Sequence, residues 1–401
     1  MKGVAILALW WLFWTGVSVF AGIRLDPVSD TVILLVFMFT TSLFVGAIVQ
    51  KCESPKATSI RLDYTVFSRV SVVILCSLFI LQLPVWFALV EGLVETGSIS
   101  ANRHMIFYGD ALTKYEKLIF GFSSALFYNY ALAASIVFLH QYKDRKFLIV
   151  TVLYLLVSAV LKGSRAEIYQ FIGVSVIYFY CVYGMALLNV IREHMIFVLF
   201  AFFASVSLLL LVSYMRGHNF IDGFIDYHVV GFVLLTKYVN GLSSAFAQEF
   251  NYGVSYFGGL DYLVGLVGKM FFFNDLQSSS QSSMVLEGDF RPTFTFEARI
   301  DDELVGYSQS GHNAFYTLLL SGYKSFGVFG VSLQGLVLGF FISRAADSAR
   351  KLYTPSAFYL VILISCVFMG IFSSALDTPG FWLSLILFNF SFQCSFYFSK
   401  N

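Results

Sequence analysis

Apolar runs long enough to cross a bilayer alternate with short polar breaks along almost the whole chain. They predict spans at Gly3–Ala21, Thr31–Val49, Val70–Val90, Leu118–Leu139, Phe147–Leu161, Glu167–Asn189, Met195–Tyr214, Ser325–Ile342, Ala357–Ser374 and Gly380–Phe398. A helix needs roughly 20 apolar residues to span, so the pattern gives about ten transmembrane helices, with Phe147–Leu161 short. One long interval breaks the rhythm, Met215–Gly311. Inside it, His228–Ala245 carries Lys237 and Asn240 at its middle, and Tyr256–Phe273 carries Asp261 and Lys269. Such groups are costly at the bilayer centre, so both stretches are read as interfacial or re-entrant helices. If both span, the count becomes twelve and every other span keeps its orientation.

The fold class is therefore all-α: a polytopic integral membrane protein, residues 1–401 forming a single membrane domain with residues 215–311 as its long loop. Lys2 followed by an apolar run has the look of a signal peptide, but the further spans favour a retained first helix. Composition agrees, with 58% hydrophobic and 12% charged residues, far from a soluble domain. Orientation follows from Lys and Arg in the connections. With the N-terminus inside, the inner segments hold Lys2, Lys51, Lys56, Arg61, Arg69, Lys143, Arg145, Lys146, Arg192, Arg344, Arg350, Lys351 and Lys400. The short outer loops hold only Arg24, Lys162 and Arg165, and the second-longest outer loop, Glu91–Lys117, adds Arg103, His104, Lys114 and Lys117. Both termini are then cytoplasmic, and Met215–Gly311 faces out.

Net charge of +1 and the absence of a basic run give no sign of a nucleic-acid partner. The five cysteines form no CxxC and none lies in the long loop, so neither a disulfide framework nor a cysteine metal site is indicated. The proposed span cores contain no Asp, Glu, Lys, Arg or His, whereas ion-coupled transporters keep such groups at mid-membrane. Chemistry is expected at the outer surface.

Three motifs sit there. In Lys162-Gly163-Ser164-Arg165-Ala166-Glu167, Ser164 and Glu167 have capping-box spacing, which places Arg165 in the first helical turn. Free backbone N–H groups and a guanidinium at a helix start suit phosphate; an arginine snorkelling to lipid headgroups is the plainer reading. Tyr214-Met215-Arg216-Gly217-His218-Asn219 leaves the membrane as either an anchor or a second cationic site. Ser310-Gly311-His312-Asn313 precedes an apolar helix with glycines at 322, 327 and 330. A histidine starting such a helix can act as a general base near neutral pH, or be an ordinary interfacial polar residue. Gly335 and Gly339 form a small-xxx-small face read as helix packing. The acidic run Glu297, Asp301, Asp302 and Glu303 is read as a solvated turn, with a divalent metal as the lesser alternative.

Together, Ser164-Arg165 opening an apolar helix, Arg216 at the next outer exit and His312-Asn313 before a Gly-x-x-Gly turn resemble the bacterial O-antigen polymerase and O-antigen ligase superfamily. The resemblance covers roughly residues 160–344, and Ala166 stands where ligase-like members often have glycine. It implies a Gram-negative inner-membrane glycosyltransferase polymerising undecaprenyl-pyrophosphate-linked oligosaccharide repeat units at the periplasmic face. Arg165 and Arg216 would hold the pyrophosphate and His312 would assist the acceptor hydroxyl. Ser164, His218 and Asn313 would complete the substrate site. Donor and acceptor are both lipid-linked glycans among membrane lipids, and a chain-length regulator and a flippase are the implied protein partners. No cofactor is implied, because the donor carries the energy and no Walker loop is present. The alternatives are a ligase that moves finished polymer onto lipid A-core, and a lipid-linked oligosaccharide flippase or other transporter.

Overall fold

The computed structural model describes residues 2–20, 27–52, 62–99, 101–102, 112–163, 165–187, 220–240, 293–295, 311–313, 317–372 and 374–400, with isolated positions at 192, 203, 207, 210 and 260. Helices dominate: α1 (Lys2–Phe20), α2 (Asp30–Cys52), α3 (Tyr64–Thr96), α4 (Lys114–Val137), α5 (Lys146–Lys162), α6 (Ala166–Tyr183), α7 (Phe220–Val239), α8 (Leu319–Arg350), α9 (Thr354–Met369) and α10 (Pro379–Lys400). Seven are long and apolar enough to cross a membrane, and α9 is a shorter apolar helix. The chain is thus a membrane-embedded helical protein. Bilayer physics selects helices here because each satisfies its own backbone hydrogen bonds.

The span expected at Met195–Tyr214 and the helix expected at Tyr256–Phe273 lie outside the described residues, apart from isolated positions. The helix expected at His228–Ala245 starts earlier, at Phe220, and ends at Val239. Two short strands, β1 (Thr293–Thr295) and β2 (Gly311–Asn313), pair antiparallel with Phe294 opposite His312. At three residues each they leave the fold class all-α.

The chain divides into two compact units. The first takes in residues 1–55, 222–344 and 363–382, and its core is organised by α1, α2 and α9. The indoles of Trp11 and Trp10 donate to the carbonyls of Val367 (3.0 Å) and Phe368 (3.2 Å), and Leu318 N–H donates to Gly370 O at 2.6 Å. These bonds satisfy acceptors at the end of α9 that have no intrahelical partner. On α7, the His228 ring stacks on Trp14 at 3.7 Å between centroids and donates through Nδ1 to Phe224 O at 2.7 Å.

Helices α2 and α8 cross at backbone contact. A Cβ added to Gly339 would lie 2.0 Å from Leu43 O, one on Gly335 2.5 Å from Phe39 O, and one on Gly46 2.0 Å from Leu336 O. The small-residue face therefore does pack a helix, with Gly46 as its counterpart. Gly339→Val should destabilise the detergent-solubilised protein by at least about 1–3 kcal/mol, an overpacking cost. Gly16→Val, where a Cβ meets nothing within 4 Å, should leave the melting temperature nearly unchanged. Equal melting of the two variants would refute the close crossing.

Within α8 the backbone reverses at Phe326-Gly327, where Gly327 has φ 59° and ψ −141°, a conformation open to glycine and strained for other residues. Gln334 Nε2 donates to Leu318 O at 3.2 Å. In a straight helix those residues would stand about 24 Å apart at ~1.5 Å per residue. Residues 319–325 therefore fold back along the start of the long helix, in keeping with the glycine turn expected there.

The second unit comprises residues 56–221, 345–362 and 383–401. Helices α3, α4 and α5 pack around buried Phe67, Tyr130, Phe138 and Phe147. The Thr151 hydroxyl donates across to Ala131 O at 3.0 Å. A π-helical turn, Phe138–Tyr142, ends α4 and brings His140 Nδ1 to 3.0 Å from the Tyr178 hydroxyl. At that end Tyr64 donates to Asp144 at 2.6 Å and Tyr142 to Leu62 O at 2.8 Å. Burial alone would raise the Asp144 pKa, but the Tyr64 hydroxyl and the Lys146 N–H outweigh it and hold the carboxyl below its usual value.

Candidate functional site

The opposite end of the second unit gathers charge. Helix α5 stops at Lys162 because Gly163 takes the left-handed conformation, φ 62°, and its N–H closes onto Ser158 O. Helix α6 starts only three residues later, at Ala166. This tight hairpin places Lys162 and Glu167 face to face, with Nζ 2.9 Å from Oε1. The Ser158 hydroxyl, one turn before Lys162, donates to the other carboxylate oxygen. Lys162 also donates to Ser124 Oγ at 3.3 Å.

Three rings roof the ammonium: Trp86, Tyr154 and Phe120, at 5.4, 5.5 and 5.7 Å from Nζ to the centroids. That is cation–π range, and the attraction grows as water is excluded. The lysine side chain is only 10% exposed and the glutamate 19%. Around them Tyr154 and Ser124 share a hydrogen bond of 2.9 Å, Tyr154 donates to Gln82 Oε1 at 3.3 Å, and Tyr128 donates to Glu167 O at 2.7 Å. Trp86 Nε1 is buried with no hydrogen-bond partner among the described residues.

This geometry changes the expected role of Glu167. The capping-box reading has its carboxylate reach back to Ser164, which lies outside the described residues; among the described residues Lys162 and Ser158 hold it. Arg165, not Ser164, occupies the N-cap position, with no side-chain capping bond, so it precedes the first turn rather than lying in it. The same spacing does make a capping box at Thr113 and Glu116, where Glu116 N–H reaches Thr113 Oγ1 (3.3 Å) and Thr113 N–H reaches Glu116 Oε2 (2.8 Å). Glu167 differs from Glu116 in having a buried ammonium as a partner.

Arg165 is half-buried, three residues from Lys162. With Lys162, Arg165 and Glu167 all ionised, the hairpin carries one net positive charge. An anion arriving there meets a guanidinium able to bond it bidentately and an ammonium held by its carboxylate.

No family model, curated protein or solved structure matches the chain. Function must therefore be read from the residues and where they sit.

Of the other expected site residues, Ser164, Arg216 and His218 lie outside the described residues. His312 and Asn313 belong to the first unit, in β2 opposite Phe294 and Thr293. His312 was expected to start a membrane helix; that helix begins at Leu319, and a strand ladder holds the histidine backbone instead. Glu297, Asp301, Asp302 and Glu303 lie outside the described residues. Among the described residues no group of three His, Cys, Asp or Glu could hold a metal. No motif announces that Lys162, Glu167 and the aromatic roof come together. The available signal was Ser158 and Lys162 one turn apart, followed by Gly163 and a carboxylate just inside the next helix.

Proposed function

We propose that this chain is an inner-membrane glycosyltransferase that joins undecaprenyl-pyrophosphate-linked oligosaccharide repeat units into O-antigen or a related surface polysaccharide. The observation that carries the proposal is the Lys162–Arg165–Glu167 hairpin, a net-positive, partly desolvated cluster at a helix end. In this reading the Lys162 end faces the periplasm and both termini are cytoplasmic, with about ten spans, as the Lys and Arg distribution favours. Glycan transfer from a lipid pyrophosphate to a sugar hydroxyl builds negative charge on the departing pyrophosphate. Cations fixed beside it favour that charge more in the transition state than in the ground state.

Arg165 and Arg216 hold the pyrophosphate, and Lys162, anchored by Glu167, adds a charge that cannot swing away. By the sequence resemblance alone, His312 is the group proposed to take the proton from the acceptor hydroxyl, with Asn313, Ser164 and His218 as further substrate-binding residues. The lipid tail remains among the apolar helices. The motifs are shared with the ligases of the superfamily, so the test must separate bond types. In a deletion strain, lipopolysaccharide with a single repeat on the core is the expected result. Core alone, with polymer still made on the carrier lipid, makes the protein a ligase. An unchanged ladder refutes both.

A further inference from the structure

We propose that a groove between α3 and α10 in the second unit binds an anionic phospholipid, with Arg69 on its phosphate. The groove measures about 560 Å³. Val66, Val70 and Ile74 form one wall at helical spacing, and Phe390, Cys394 and Phe398 form the other. Positions i, i+4 and i+8 share a face on each helix, so both walls are continuous apolar stripes. Such stripes suit an acyl chain.

Arg69 is the one charged residue lining this groove. It is exposed and makes no ion pair or hydrogen bond among the described residues. The described acids at this end of the unit are engaged elsewhere. Asp63 accepts from Val66 N–H at 2.9 Å, Asp144 from Tyr64, and Asp347 from Arg350 at 2.8 Å. Lys143, Arg145 and Lys146 are exposed at the same end. A cation at the mouth of an apolar groove, with basic neighbours and no counter-ion among the described residues, is complementary to a lipid carrying one negative headgroup and a tail. A free phosphate would leave the stripes unfilled, and a zwitterionic lipid, though it offers Arg69 a phosphate, would bring a cation of its own to an end already rich in basic residues.

The site is at the end of the unit opposite Lys162, so its test does not depend on the glycan reading. Native mass spectrometry of the purified protein, titrated with phosphatidylglycerol or with phosphatidylcholine of the same chains, reads the occupancy directly. Wild-type protein should retain phosphatidylglycerol preferentially. Arg69→Gln should weaken phosphatidylglycerol about tenfold, the scale of a lost charged hydrogen bond, and phosphatidylcholine less, so that the preference is lost. Arg69→Lys should keep part of the preference, and Cys394→Trp, which fills the groove, should weaken both lipids. Equal retention of the two lipids by wild type makes the occupant an ordinary neutral lipid and overturns the proposal, whatever the variants do. A dimer that displaces lipid adducts assigns the groove to a second copy and overturns it as well. So does a phosphatidylglycerol preference that survives Arg69→Gln.

Discussion

Replacing Arg165 by glutamate should abolish chain extension while the protein reaches the membrane at normal abundance. The substitution puts a second carboxylate beside Glu167 and turns the local charge from one positive to one negative. A pyrophosphate would then be repelled at the point where its charge grows. Losing one positioned donor to a developing anion typically costs about 10²–10³ in rate, and reversing its charge should exceed that. Arg165→Lys keeps the charge but loses the planar fork, so partial polymer length is expected. Arg216 should show the same grading. Complementation of a deletion strain, with polymer length read on gels at matched membrane levels, decides the matter. Full-length polymer from Arg165→Glu would return this residue to headgroup anchoring. Lys162 is a poorer first target. Removing one member of a largely buried ion pair leaves a charge uncompensated at about 3–5 kcal/mol, and lost folding would mimic lost chemistry.

His312→Ala should reduce polymer to trace amounts, because a general base contributes about 10²–10⁴. The same tripeptide occurs twice, as Gly217-His218-Asn219 and Gly311-His312-Asn313. His312 is the better candidate because its backbone is fixed in the ladder with Thr293–Thr295, and a catalytic group acts through a held geometry. His218→Ala should be mild, and Asn313→Ala intermediate if its amide only orients the loop. The same complementation assay compares them. Strong loss from His218→Ala beside near-normal His312→Ala would move the acceptor site to the other end of the loop.

What the chain determines by itself is the set of helices. Nine of the expected spans coincide, within several residues, with described helices, because hydropathy acts on each stretch separately and a bilayer accepts few other backbone forms. Gly335 and Gly339 were likewise legible, since a small-residue stripe has one common use between helices. The glycine turn before the long helix was visible too, because the left-handed backbone at Gly327 is a local property. The partners were not. Ser164-x-x-Glu167 and Thr113-x-x-Glu116 look alike in sequence; the second makes a capping box, whereas Ser164 lies outside the described residues and the Glu167 carboxylate is held by Lys162 and Ser158. Glu167 is drawn to an ammonium that α3 and α4 help to bury under Trp86 and Phe120. His312 pairs with a strand that no local periodicity announces. Electrostatic and hydrogen-bond partners are chosen by which helix ends and loop segments meet in space. Those meetings depend on packing between elements distant in the chain, so the tertiary structure alone decided them.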